Sequence, residues 1–249
     1  ISVLIIIKLL IKKFKISTRM AYLISIGSTV CGTTAIMATA PVIKASKTEI
    51  SYAIANITIF GILSMLLYPY FSNFYFDGDS LFIGLFLGTA IHETSQVAAA
   101  GLIYDQQFNS PETLNIATVT KLIRNTFLII MIPLFAFLYN RGRSNEKSYS
   151  IIKIFPYFVI GFVGMIILRN MGDQFFVTYN QDTWIETINL INMSSKVFLT
   201  MAMAAIGLST NLKDIKSMGY KPFVVGFVAM LTVGIVSILT IEIYLRLII

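Results

Sequence analysis

Long apolar runs separated by short charged gaps constrain this chain more than any other feature. They cover residues 1–11, 20–43, 50–71, 81–104, 116–139, 151–169, 188–211 and 222–248. A helix needs about 20 mostly apolar residues to cross the hydrocarbon core of a bilayer. All the runs but the first are close to that length or beyond it. Backbone inside a bilayer must satisfy its own hydrogen bonds, so the runs are expected to be helices whatever their local propensities. No strand-like alternation interrupts them, and the longest gap, 170–187, is too short for a soluble domain. The expected class is therefore an all-α polytopic membrane protein, a single transmembrane domain over 1–249 whose first partner is the lipid bilayer. Charged residues make up 12% of the chain, against about 25% in soluble domains.

The net charge of +7 does not point to nucleic acid, because Lys and Arg concentrate in the gaps, where they act as topology signals. If every run crosses, the side of residues 12–19 also holds loops 72–80, 140–150 and 212–221. That side collects Lys12, Lys13, Lys15, Arg19, Arg141, Arg143, Lys147, Lys213, Lys216 and Lys221. The opposite side has Lys44 and Lys47, with Asp105, Glu112, Asp173, Asp182 and Glu186. The positive-inside rule makes the first side cytoplasmic and the C-terminus external. The 72–80 loop, with Asp77, Asp79 and no basic residue, runs against this assignment. The single cysteine, Cys31, excludes an intrachain disulfide.

Three stretches carry polar chemistry. In "VCGTTAIMATAPVIKA", residues 30–45, small residues allow close helix contact. Gly32 and Pro41 are places where a helix can break, which would expose N–H groups at the bilayer midplane as an anion site. Cys31, Gly32, Thr33 and Thr34 are the candidate substrate contacts. The segment by itself fits a packed, unbroken helix crossing equally well. In "GTAIHETSQVAAAG", residues 88–101, a continuous helix would put Gly84, Gly88, His92 and Gln96 on one face. Gly84 and Gly88 form a GxxxG packing pair. Ionisable groups inside a membrane are costly and mark ion or substrate paths, so His92, Glu93 and Gln96 form a candidate coupling centre; bracing of neighbouring helices is the alternative. The stretch is not a zinc-protease motif, because Gln96 stands where a second histidine is needed, and no metal or other cofactor is expected. In "SSKVFLTMAMAAIGLSTNL", residues 194–212, Gly207 and Ser209 lie at a second expected break and are further candidate substrate contacts. Lys121 and Arg124, in the first turns of the 116–139 run, are expected to line the entrance for an anion.

The stretch from "TAIMATAPVIKASKTEI" onward and that from "TMAMAAIGLSTNLKDIKSMGYKPF" share a grammar: a small-residue run, a basic linker, then a long apolar run. By alternation they enter from opposite sides, which is the pattern of an inverted repeat. The expected halves are 1–75, the C-terminal part of the first repeat, and 76–249, the second. Matching them implies about two and a half further spans before residue 1, on the order of 80 residues.

Four collinear stretches resemble one family. "VCGTTAIMATAPVIKA" and "GTAIHETSQVAAAG" are similar to its CGxSAIxAxxPVIKA and GxxxHExAQVVAAG signatures. "TKLIRNTFLIIMIP" and "MAMAAIGLSTNLKDIKSMGYKPF" resemble its K-x-x-R span and AMAALGLxT…GxKP ending. The family is that of the YeiH-type bacterial membrane proteins, named for sulfate export. The resemblance implies an inner-membrane protein with about ten helices in two inverted halves. It also implies an architecture similar to bile-acid/sodium symporters and auxin-efflux carriers, with 20–43 and 188–211 as crossed, discontinuous helices. On this reading the chain is not an enzyme. It is a secondary transporter of a small anion such as sulfate or an organosulfonate, coupled to H+ or Na+, with room for a homodimer. Thr34 departs mildly from the family's Ser. The alternatives are an intramembrane enzyme using Cys31 with His92, and a non-transporting sensor or scaffold.

Overall fold

The structure, a computed structural model, describes residues 3, 5–7, 9, 16–128, 130–132, 134–135, 158–179, 181–209 and 219–248. All secondary structure among them is helical. The chain forms two compact units, Ile1–Ile154 with Asn211–Ile249, and Phe155–Thr210. In the first unit we label α1 Thr18–Thr29, α2 Thr33–Thr39, α3 Lys47–Tyr75, α4 Ser80–Ala90, α5 Thr94–Phe108 and α6 Pro111–Thr126. The second unit holds α7 Phe158–Tyr179 and α8 Gln181–Ser209, and the first closes with α9 Lys221–Ile248.

The runs 20–43 and 81–104 do not cross as single spans; each turns back on itself. The 12 residues of α1 rise about 18 Å, yet Ser17, just before α1, donates through Oγ to the carboxylate of Glu49, in the first turn of α3. The chain has therefore reversed between them, at residues 30–32. Ser80 and Ser110, which bracket α4 and α5, are joined Oγ to Oγ at 2.8 Å, so this second segment reverses at residues 91–93. Both are re-entrant helical hairpins.

They enter from opposite ends of α3. The first hairpin's mouth is tied to Glu49. The second is tied to the last turn of α3, where Tyr104 donates from its hydroxyl to Asn73 Oδ1 at 2.8 Å. Their tips meet beside the middle of α3. Gly27 lies against Ile57, and Gln96 Nε2 donates to the Thr58 carbonyl at 3.3 Å while its side chain abuts Gly61. Residue 61 is the midpoint of this 29-residue helix, which is about 43 Å long and so spans a bilayer. Each arm of a hairpin thus reaches about half-way through.

Local chemistry fixes the entries. Ser46 and Glu49 form a reciprocal capping box at the start of α3. Asp79 caps α4, and Pro111 opens α6. Helix α9 lies along α3 in the same direction, bonded at its start by Asn56 Nδ2 to the Pro222 carbonyl (3.0 Å) and near its end by Tyr75 to Glu242 (3.3 Å).

The reversals redraw the expected topology. Arg19, Lys44, Lys47 and Lys221 now share one end, and Lys12, Lys13 and Lys15 directly precede this group in sequence. Asp77, Asp79, Asp105, Glu112 and Glu242 share the other. The conflict posed by the 72–80 loop disappears: it belongs with 105–115 on the acidic, external side, and residues 44–49 move to the basic, cytoplasmic side.

In the second unit the expected loop 170–187 is mostly helix. It is braced by Arg169 Nε on Asp173 (2.8 Å), by Trp184 Nε1 on Asp173 Oδ1 (2.7 Å) and by Trp184 packed on Gly172. The break expected in 188–211 is absent, since α8 runs unbroken from Gln181 to Ser209. Ala, Met and Leu are strong helix formers and a single glycine costs only about 1 kcal/mol.

Labelling of single cysteines in a Cys31→Ala background distinguishes the two topologies. Asp77→Cys and Gln107→Cys should both react with an impermeant thiol reagent from outside intact cells, and Thr48→Cys only after permeabilisation. A crossing by every apolar run would put Asp77→Cys inside and Thr48→Cys outside.

Candidate functional site

The site is the place where the two hairpin tips meet, and α6 is what joins them. Helix α6 packs on α4 at backbone distance: a Cβ at Gly84 would lie 2.6 Å from Ile116 Cβ, and one at Gly88 would lie 2.6 Å from the Ala117 carbonyl oxygen. The GxxxG pair is thus a packing face, as expected, and its partner is α6. This contact carries Lys121 and Arg124, which follow on α6, up to the tips.

Both cations are used by backbone carbonyls. Lys121 is wholly buried. Its Nζ donates to the carbonyls of Val30 (2.9 Å), Ile91 (2.9 Å) and His92 (2.5 Å). Arg124 donates from Nε to Thr29 (2.9 Å), from Nη2 to Ser28 (2.7 Å), and from Nη1 to Thr89 (2.5 Å) and Ile91 (3.3 Å). The last carbonyls of a helix have no intrahelical partner and carry a partial negative charge. Two such ends, those of α1 and α4, stop inside the bilayer here, where no water satisfies them. Lys121 and Arg124 cap both.

The returning helices present the opposite polarity. Glu93 precedes α5, and its Oε1 accepts from the Thr33 backbone N–H at 2.9 Å and from the Thr33 hydroxyl, at the start of α2. A carboxylate at a helix N-terminus is favoured by the dipole. The contact requires Gly32 twice over. Its φ is +63°, and a Cβ there would sit 2.5 Å from Glu93 Cγ.

Other polar groups gather without partners. His92 is wholly buried, and among the described residues, Cys31 included, neither ring nitrogen has a hydrogen-bond partner. Gln96 Oε1, Thr58 Oγ1 and Asn125 Oδ1 are likewise buried and unpaired, although Asn125 Nδ2 reaches Thr94 Oγ1 at 3.1 Å. A cavity of about 740 Å³ is lined by Arg124, Thr29, Thr89 and Ser237 together with apolar residues such as Leu81, Leu85, Phe127, Met131 and Val236. Among the described residues no cluster of His, Cys, Asp and Glu is assembled that would hold a metal ion.

Residues 1–226 match the profile of the family described as Conserved hypothetical protein 698. The chain belongs to this family. A UPF0324 membrane protein of Fusobacterium nucleatum is 38% identical over 242 residues, covering 94% of this chain and 69% of the relative. One from Streptococcus agalactiae is 36% identical over 235 residues, covering 94% and 68%. One from Clostridium tetani is 33% identical over 245 residues, covering 93% and 67%. The chain thus spans about two thirds of these relatives' length. No solved structure matches it. The match agrees with the resemblance read from the four motifs, and the chain is a membrane protein.

Within this family fold, the residues singled out from sequence fall into three groups. Cys31, Gly32, Thr33, His92, Glu93, Gln96, Lys121 and Arg124 come together at the tips. Thr34 is exposed on α2. Gly207 and Ser209 lie in the last turn of α8, and their side chains are outside the described residues. Lys121 is wholly buried at mid-depth on α6, and Arg124, one turn on, lines the cavity. The shared face of Gly84, Gly88, His92 and Gln96 ends at Gly88, because the chain breaks at 91–93. The carbonyl set of Ser28, Thr29, Val30 and Thr89 was not foreseen. Two cations three residues apart, directed at one place from within an apolar run, were the available signal.

Gly32→Ala should cost about 1–3 kcal/mol from backbone strain alone, and it also displaces Glu93. Thermal unfolding of the purified protein should show a lower midpoint for Gly32→Ala and little change for Ala38→Gly, beyond the ordinary helix-propensity cost.

Proposed function

We propose that the protein is a secondary transporter for a small anion across the bacterial inner membrane. The observation that carries this reading is the charge balance where the tips meet. Lys121 and Arg124 donate to carbonyls of the tips, the one carboxylate there, Glu93, accepts from Thr33, and the four half-helix ends contribute partial charges of both signs that cancel to first order. One positive charge is left over at mid-bilayer, where a bare charge is costly. An anion binding there completes the balance. Hairpins that enter from opposite sides and meet at the midplane are what alternating access around a fixed site needs, and they form the core of an inverted repeat on this reading: α1–α3 against α4–α6.

The cavity that ends at Arg124 favours an anion with an apolar portion, an organosulfonate rather than bare sulfate. Arg124 holds its head, and the aliphatic walls take its body. Glu93 and His92 are the coupling groups. Glu93 ties one tip to the other through Thr33. The enzyme alternative has less support, because Cys31 has no hydrogen bond to His92.

In proteoliposomes, uptake of a short alkanesulfonate should be driven by a pH gradient. A hydrogen bond to a charged group is worth about 1.5–3 kcal/mol, so Arg124→Gln should lower uptake by about tenfold or more, with Arg124→Lys intermediate. Glu93→Gln should retain anion exchange but lose the response to the gradient. Wild-type rates in Arg124→Gln, or no anion movement by the wild type under any gradient, would contradict the proposal.

A further inference from the structure

Lys121 makes three hydrogen bonds through one atom. Its Nζ donates to the carbonyls of Val30, Ile91 and His92 at 2.5–2.9 Å. A neutral amine has only two N–H groups, whereas an ammonium has three, so the full set of acceptors matches the charged form donor for donor. These acceptors come from the two hairpin tips, one from the first and two from the second. Arg124 takes the neighbouring carbonyls of Ser28, Thr29 and Thr89 and shares that of Ile91. Unwound carbonyls and half-helix C-terminal ends at mid-membrane are the groups with which transporters coordinate a free coupling cation. Here the same kind of oxygen cage is built, and a side chain fills it.

We propose that the Val30, Ile91 and His92 carbonyls form a monovalent-cation site whose occupant is the tethered ammonium of Lys121. The protein therefore assembles its tips without free sodium, and removing the lysine charge creates a site for a small free cation. The cage is buried, and Arg124 shares its Ile91 carbonyl. A cation inside it is needed to offset the carbonyl dipoles, whether or not it is bonded to α6. This assignment rests on the geometry of the tips and not on transport, so it can fail while the transport reading stands, and the reverse.

The test compares thermal unfolding of the full-length protein, wild type and Lys121→Met, in choline, sodium and ammonium chloride at equal ionic strength. Met keeps most of the stem and leaves the Nζ position open. The wild-type midpoint should be the same in all three salts. Lys121→Met should unfold at lower temperature in choline. It should recover about 3–5 °C, saturably, in ammonium or sodium, as expected for a ligand that binds only the folded state. A wild-type midpoint raised specifically by sodium would overturn the proposal. So would a Lys121→Met protein whose midpoint is identical in the three salts, or one that cannot be recovered in any of them, because the proposal requires a free cation to take over the site.

Discussion

The capping of two buried helix ends by Lys121 and Arg124 is the interaction on which the rest of this structure depends. A chain that reverses inside a bilayer leaves carbonyls and amides that neither lipid nor a continuing helix can satisfy. This chain reverses twice, at 30–32 and 91–93, and directs both sets of last-turn carbonyls at the same two cations. The hairpins are therefore not independent. Each is stable at that depth because the other helps to surround the charges that cap it, and because α6 delivers those charges through its close contact with Gly84 and Gly88.

The second link is of opposite sign. Glu93 closes the first hairpin's returning helix by binding Thr33, and Gly32 gives it room. The two tips are thus tied by cation to carbonyl and by carboxylate to amide. The first tie is heavily multidentate. The second runs through one carboxylate oxygen.

Much of the site could be read from the sequence, but its architecture could not. Hydrophobic length announced a helical membrane protein, and the break at Gly32 was visible because glycine and small residues marked it. The break at 91–93 was hidden, since Ile91, His92 and Glu93 carry no local helix-breaking signal. It exists because Lys121, about 30 residues later, satisfies the carbonyls it exposes. Conversely, the alanines and glycine of 202–207 looked like a break, yet their helix propensity holds with nothing to oppose it. A hydropathy window cannot tell a run that crosses from one that turns back, because both are equally apolar. The charges could have done so. Asp77 and Asp79 sat on the wrong side of the all-crossing topology that the basic residues chose, a mismatch that the hairpins remove.

The most direct test of tip-to-tip contact is cross-linking in membranes between Thr33→Cys and Glu93→Cys, in the full-length protein with Cys31→Ala. The Glu93 carboxylate lies 2.9 Å from the Thr33 amide nitrogen, so a short bifunctional thiol reagent should join this pair in high yield, and the product should be lost on pairing Thr33→Cys with Gln107→Cys. No cross-link at 33–93, with an efficient one between Thr33→Cys and Gln107→Cys instead, would contradict the account.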